Sequence, residues 1–160
     1  EIAQCLVGSE MCIRDRYWSK DGNAEGMCKG PADMDDFRMK FDSLEEQQED
    51  PDSIYNYVKQ VIRVRNQNPV IARGTTAYLE QYSGEQCFAL TRSYEGSNLL
   101  LLGNTSAEAV SVDLTGLTVG GTTAEELVLL GELYTGEETA ERAGTVVTLP
   151  AYSILILGEE

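Results

Sequence analysis

The sequence predicts an α+β chain in which one long helix is followed by an antiparallel β-sandwich. From Ile54 to Ile62 apolar residues recur at i, i+3, i+4, i+7 and i+8, which lays one stripe along a helix. After Gly74 the period drops from 3.6 to 2, as alternation on a pleated strand requires. The remainder is a succession of short apolar runs bounded by Gly, Thr, Asn or Pro, the pattern of a sandwich or barrel.

Residues 17–49 are rich in Gly, Asp, Lys and Met and keep no period, which predicts a long loop. Within it Ser43-Leu44-Glu45-Glu46 has capping-box spacing, so one short helix is expected over Ser43 to Gln48. Asp50 and Pro51 are read as the start of the long helix. The carboxylate accepts from free N–H groups of a first turn, and proline suits a first position that needs no N–H. The stripe is Ile54, Tyr57, Val58, Val61 and Ile62, and the other face is assigned Lys59, Arg63 and Arg65, the last two near the negative end of the dipole. Asn66-Gln67-Asn68-Pro69 stops the helix, because a residue before proline is pushed out of the helical region. A helix of about 14 residues is marginal in water unless its stripe is covered. Part of that face is therefore expected to pack on the sandwich, and the rest on a larger body outside this sequence.

The predicted strands are Thr76 to Tyr82, Cys87 to Tyr94, Asn98 to Asn104, Val110 to Leu114, Glu126 to Leu130, Thr145 to Leu149 and Ser153 to Leu157. Thr115 to Thr123 is read as a loop. The domain boundary falls near Arg73, which leaves residues 74–160 as the sandwich. About 85 residues are enough to bury a core and fold alone.

The charge is strongly negative, with 27 acidic residues against 12 basic, a net −15. Residues 73–160 hold 13 of the acids and only Arg73, Arg92 and Arg142. Such a surface repels phosphate, so nucleic acid and anionic membranes are not expected partners. No apolar run reaches the roughly 20 residues of a membrane span, and no leader segment is read at the N-terminus. Without a single histidine, and with no CxxC, neither a zinc site nor a Cys-His nucleophile is expected. Asp21-Gly22-Asn23-Ala24-Glu25-Gly26 imitates the opening of a calcium loop, but Ala32 stands where a bidentate glutamate should close it. Even with Asp33, Asp35 and Asp36 nearby it is read as a solvated turn, and no metal ligand is assigned.

Cys5 to Arg16, CLVGSEMCIRDR, resembles the conceptual translation of a transposon-type sequencing adapter. Residues 1–16 are therefore treated as a non-native segment outside the fold, which leaves Cys28 and Cys87 as lone thiols and Cys87 as a small core residue.

The stretch SLEEQQEDPDSIYNYVKQVIRVRNQNPVIARG, preceded by YWSKDGNAEGMCKGPADMD, resembles the end of the catalytic barrel in bacterial glycoside hydrolase family 13, the α-amylase and oligo-α-glucosidase group. The ending Leu149 to Leu157 is similar to the last strand of that family's domain C, and Leu101-Leu102-Gly103-Asn104 to a middle strand. The resemblance implies that residues 17–73 are the C-terminal remnant of the (β/α)8 barrel, a loop plus its last helix, and that 74–160 are domain C. It implies an α-glucan or malto-oligosaccharide substrate, bound through barrel residues upstream of this chain. The family's nucleophilic aspartate, acid/base glutamate and second aspartate sit on the fourth, fifth and seventh barrel strands. None of Asp33, Asp35, Asp36, Asp42 or Glu45 stands in a matching motif, so no residue here inherits a catalytic role and the chain alone is expected to be inactive. Tyr17 and Trp18 fall in the loop after the eighth strand, at the barrel mouth, and are the candidate substrate-binding residues because aromatic faces stack on pyranose rings. No cofactor is expected, although the family allows calcium in an intact enzyme. The compartment is left open: secretion suits a polymer-degrading parent and is only slightly favoured over the cytoplasm, which suits an oligosaccharide hydrolase. The competing reading is a stand-alone carbohydrate-binding or structural module, which should show several exposed aromatics on one sheet face. The candidates Tyr78, Tyr82, Phe88, Tyr94, Tyr134 and Tyr152 are scattered in sequence.

Overall fold

The computed structural model describes residues 18–20 and 41–159, which fall into two compact units, Glu1–Asn56 and Tyr57–Glu160. The adapter-like segment, Tyr17, Cys28, the Asp21 to Gly26 turn and Asp33, Asp35 and Asp36 lie outside the described residues.

In the first unit the capping box forms as the spacing requires. Helix α1 spans Leu44–Glu49, with Ser43 Oγ accepting from the Glu46 N–H at 3.3 Å and Glu46 Oε2 accepting from the Ser43 N–H at 3.0 Å. Asp50 does not start the next helix. It closes α1 instead: its N–H donates to the Glu46 carbonyl and its carboxylate accepts from the Asp52 N–H. Helix α2 spans Ile54–Gln67, and its opening cap is Ser53, whose hydroxyl oxygen accepts from the Asn56 N–H at 3.2 Å. Ser53 wins because its hydroxyl also donates to the Gln47 carbonyl, which fixes it between the two helices. Asn56 completes the joint by donating to the carbonyls of Gln47 and Asp50 at 2.9 and 2.8 Å.

The helical region is divided more finely than one long helix. Among the described residues it consists of α1, α2 and a third helix α3, Pro69–Arg73, of 6, 14 and 5 residues. The break falls at Asn68, whose main-chain and side-chain nitrogens both donate to the Val64 carbonyl at the end of α2. Pro69 then takes the first position of α3, where its missing N–H costs nothing.

The second unit is predominantly antiparallel sheet. The strands are β1 Thr75–Tyr78, β2 Cys87–Tyr94, β3 Ser97–Asn104, β4 Val110–Asp113, β5 Thr118–Val119, β6 Thr122–Thr123, β7 Val128–Leu133, β8 Glu141–Ala143, β9 Val146–Leu149 and β10 Ile154–Gly158. They form a five-stranded sheet in the order β1-β2-β3-β10-β7, a three-stranded sheet β4-β9-β8 and the hairpin β5-β6. Every pairing is antiparallel.

Four sequence expectations need correction. The first strand ends at Tyr78 and gives way to a 3-10 turn at Glu80–Tyr82. The stretch Thr115 to Thr123, read as a loop, holds the β5-β6 hairpin turned at Gly120 and Gly121. The strand expected from Glu126 begins at Val128, because Thr123 and Glu126 form a second capping box around a 3-10 turn at Ala124–Glu126. Strand β8 was missed: its Glu-Arg-Ala sequence has no apolar alternation, and it is held by pairing with β9 and by Arg142, which donates to the Leu127 and Ala124 carbonyls.

Pleat alternation gives the five-stranded sheet two apolar faces. Ala89, Leu100, Leu102, Leu155 and Leu157 point to one side and meet Val112, Val147 and Leu149 of the three-stranded sheet, which makes the sandwich core. Leu99, Leu133 and Ile156 point to the other side, joined by Leu101, Leu130 and Ile154. Covering that side are Tyr57, Val61 and Val64 of α2 and Val70 and Ile71 of α3. The unbroken run Leu99 to Leu102 is thereby explained: a strand buried on both faces has no polar side to alternate with.

Candidate functional site

Trp18 is the one candidate substrate residue that the structure describes, and it stands on the α1 capping box. Its carbonyl accepts from the Glu45 N–H at 3.1 Å, and two residues on Lys20 Nζ lies 3.2 Å from Glu46 Oε1. Glu46 is thus held by Ser43 and Lys20 together. The Ser43 hydroxyl and N–H, and then Lys20, keep its carboxyl below the usual range. Trp18 is 47% exposed. Phe41, also in this unit, is 57% exposed.

Three of the described carboxylates are perturbed, in the direction opposite to that of a general acid. A general acid needs a carboxyl whose pKa is raised. Glu46, Asp113 and Glu126 are all pulled down, each by a hydroxyl and an N–H of its own turn: Ser43, Thr115 and Thr123 respectively, with Thr145 adding to Asp113. These groups cap turns. Among the described residues no three of His, Cys, Asp or Glu gather into a metal-holding cluster. A groove of about 430 Å³ beside β8 and β9 is lined in part by Glu137, Glu138 and Glu141.

Of the aromatics expected of a binding platform, Tyr78, Phe88 and Tyr94 share one face of the five-stranded sheet by register, but only Tyr78 of the three is exposed. Tyr78 lies on edge strand β1 and Tyr152 in the turn before β10, 57% and 52% exposed. Tyr82 is half-buried and donates its hydroxyl to the Thr115 carbonyl. Tyr134 donates to Glu132 Oε2 at 2.7 Å and accepts from the Ala140 N–H at 3.0 Å; burial, more than its neighbours, pushes its pKa up to about 12. Phe88 lies over Gly103 on the neighbouring strand, in the space a side chain there would fill.

The least expected surface is on α2. Within the second unit Tyr57, Val61 and Val64 seat the helix on the sheet, and Gln60 adds a hydrogen bond to the Glu132 carbonyl at 3.2 Å. Val64 is the one buried residue of the helix, although the sequence reading left it out of the stripe. The apolar positions read as one stripe are therefore two. Val58 and Ile62 face away from the sheet and are 46% and 52% exposed; Ile54, one turn earlier, is 78% exposed. Arg65, expected on the opposite face, follows Ile62 by three residues and so continues this outer line. The split was legible in the sequence as an apolar arc too broad for one partner.

Comparison with known proteins places these features in a wider frame. No family model matches the chain, and no curated protein matches it either. Solved structures do. Amy13B from Eubacterium rectale superposes with a TM-score of 0.78 at 37% identity, covering 91% of this chain and 27% of its own. An α-amylase from H. orenii gives 0.58 at 23% identity over 75% of this chain and 23% of its own. Trehalulose synthase MutB gives 0.62 at 23% identity over 89% and 24%. The last two likenesses bear on the fold alone. The chain spans about a quarter of the length of the proteins it resembles.

Proposed function

This chain belongs to glycoside hydrolase family 13, and from that premise we propose that it is the C-terminal part of an enzyme that hydrolyses α-glucans or α-glucosides. Residues 17–73 are then the last loop and helices of a (β/α)8 barrel, and 74–160 are domain C, with 1–16 outside the native sequence. One observation carries the reading. Helix α2 buries one apolar line on the sheet and leaves the line through Val58 and Ile62 open, in a chain about a quarter as long as its structural relatives.

In this reading the chemistry belongs to the preceding part of the barrel, and the present chain holds the barrel's last helix in place. Tyr57, Val61 and Val64 tie α2 to the five-stranded sheet, and the opposite line faces the barrel. Val58 and Ile62 are already about half covered, so burying the remainder there would stabilise the union by roughly 1 kcal/mol each. Trp18, with Tyr17 beside it in sequence, contributes to the sugar-stacking wall at the barrel mouth, and the α1 capping box positions it.

Two measurements test the proposal. The assembled gene upstream of Tyr17 should encode the first barrel strands with their carboxylates. Supplied with malto-oligosaccharides, the 160-residue chain should release no sugar, whereas the full gene product should. Turnover by the chain itself, or an upstream region without a barrel, would refute the reading. Saturable malto-oligosaccharide binding by the isolated chain would replace it with a stand-alone binding module.

A further inference from the structure

We propose that the surface covering the outer line of α2 presents a carboxylate to Arg65, so that the barrel meets this helix through a patch both apolar and acidic; the inference rests on the functional reading above. Val58, Ile62 and Arg65 are successive positions on one line of the helix, and all three are exposed. A body that covers the two apolar side chains also takes the guanidinium out of water. An arginine so desolvated is stabilised only by an acceptor, and a carboxylate meets its planar fork with two parallel hydrogen bonds.

The charge pattern points the same way. Residues 54–73 carry Lys59, Arg63, Arg65 and Arg73 and no acidic residue. Residues 74–160 carry 13 acidic residues and only Arg92 and Arg142, and both guanidiniums donate to main-chain carbonyls. An acidic patch is therefore repelled by the sandwich and drawn to the helix, which fixes where it lands. A second copy of this chain is the wrong occupant. Two such helices meeting through these lines would set like charges against each other.

The test places Arg65→Met and Val58→Asp in two backgrounds, this 160-residue chain and the full polypeptide of its gene. In the full polypeptide each substitution should speed thermal inactivation roughly tenfold or more, since removing one member of a desolvated charge pair is costly. In the 160-residue chain Arg65→Met should leave the urea midpoint unchanged, because the side chain is already in water. Faster inactivation by Val58→Asp alone would overturn the inference, for the line would then be covered without a carboxylate. Wild-type rates for both variants would overturn it too, for the line would be uncovered. Malto-oligosaccharide hydrolysis by the full polypeptide is followed alongside: its presence with Arg65→Met silent sinks only this inference, and its absence sinks the functional reading.

Discussion

Val64 and Gly131 touch across the joint between helix and sheet: a Cβ on Gly131 would lie 2.9 Å from Val64 Cγ1. Both partners matter, because valine is stiff about χ1 and has no long arm to swing aside. Gly131→Ala should therefore lift α2 off the sheet locally and lower stability by about 1–3 kcal/mol. A urea titration measures it. Adding Val64→Ala to Gly131→Ala should recover part of the loss, and strict additivity of the two substitutions would show that the contact is not the cause.

Arg92 clamps the end of α3 to the sheet. Its Nε donates to the Val70 carbonyl at 3.1 Å, and its two terminal nitrogens to the Gly74 carbonyl and Thr76 Oγ1, each at 2.6 Å. Arg92→Met keeps the stem and loses all three bonds, with an expected cost of about 1–3 kcal/mol. Arg92→Lys should restore little, since one ammonium cannot copy the fork. Hydrogen exchange at the α3 amides reads the effect locally; unchanged protection there would contradict it.

Asn104 is buried and joins three chain segments. Its amide donates to the carbonyls of Glu108, Leu149 and Pro150 at 2.7, 3.2 and 2.8 Å, while Oδ1 accepts from the N–H and hydroxyl of Ser106. Asn104→Asp keeps the shape and turns a donor into an acceptor facing three carbonyls. It should cost about 3 kcal/mol, and Asn104→Ala no more than that. Thermal unfolding of the pair gives the order, and a more stable aspartate variant would refute the account.

Stability should fall at both ends of the pH scale. Glu46, Asp113 and Glu126 have carboxyls depressed in the folded state, so their contribution is present above the unfolded carboxyl pKa and is lost as pH falls through the folded values. Tyr134 acts in the opposite sense. Its folded pKa is about 12, above the unfolded value of about 10. Its contribution is complete below pH of about 10 and is lost between there and about 12, where the unfolded chain gives up its proton first. Urea midpoints across pH follow both limbs. Tyr134→Phe should flatten the alkaline one, and an unchanged alkaline decline would assign it elsewhere.

The parts of this fold that could be read in advance are those in which local chemistry and packing agree. Ser43 with Glu46 names a helix start, and Cys87 to Tyr94 forms the strand its alternation describes, because cap, period and burial point one way. The misreadings arise where a neighbour decides. Asp50 has the right chemistry for a cap, yet Ser53 takes the role through its bond to the Gln47 carbonyl. Strand β8 exists because β9 offers an edge, and no pattern in Glu141-Arg142-Ala143 announces that. Trp18 could be singled out as a ring beside a loop, but the hydrogen bond from Glu45 that seats its backbone depends on how that loop meets α1. The outer line of α2 was visible as surplus apolar residues. Which of them face outward depends on which line the sheet had already taken.

The clamp at Arg92 has a practical corollary for anyone recombining modules among related enzymes. Gly74 looks like the natural cut site, lying between the last helix and the first strand. Yet a Cβ there would come within 2.6 Å of the Val70 oxygen, and Arg92 grips the chain on both sides of it. A crossover at Gly74 would join a foreign helix end to a native arginine. Transplants that carry residues 57 to 158 as one cassette should keep this hinge intact, whereas grafts begun at the strand should arrive with an unmatched guanidinium.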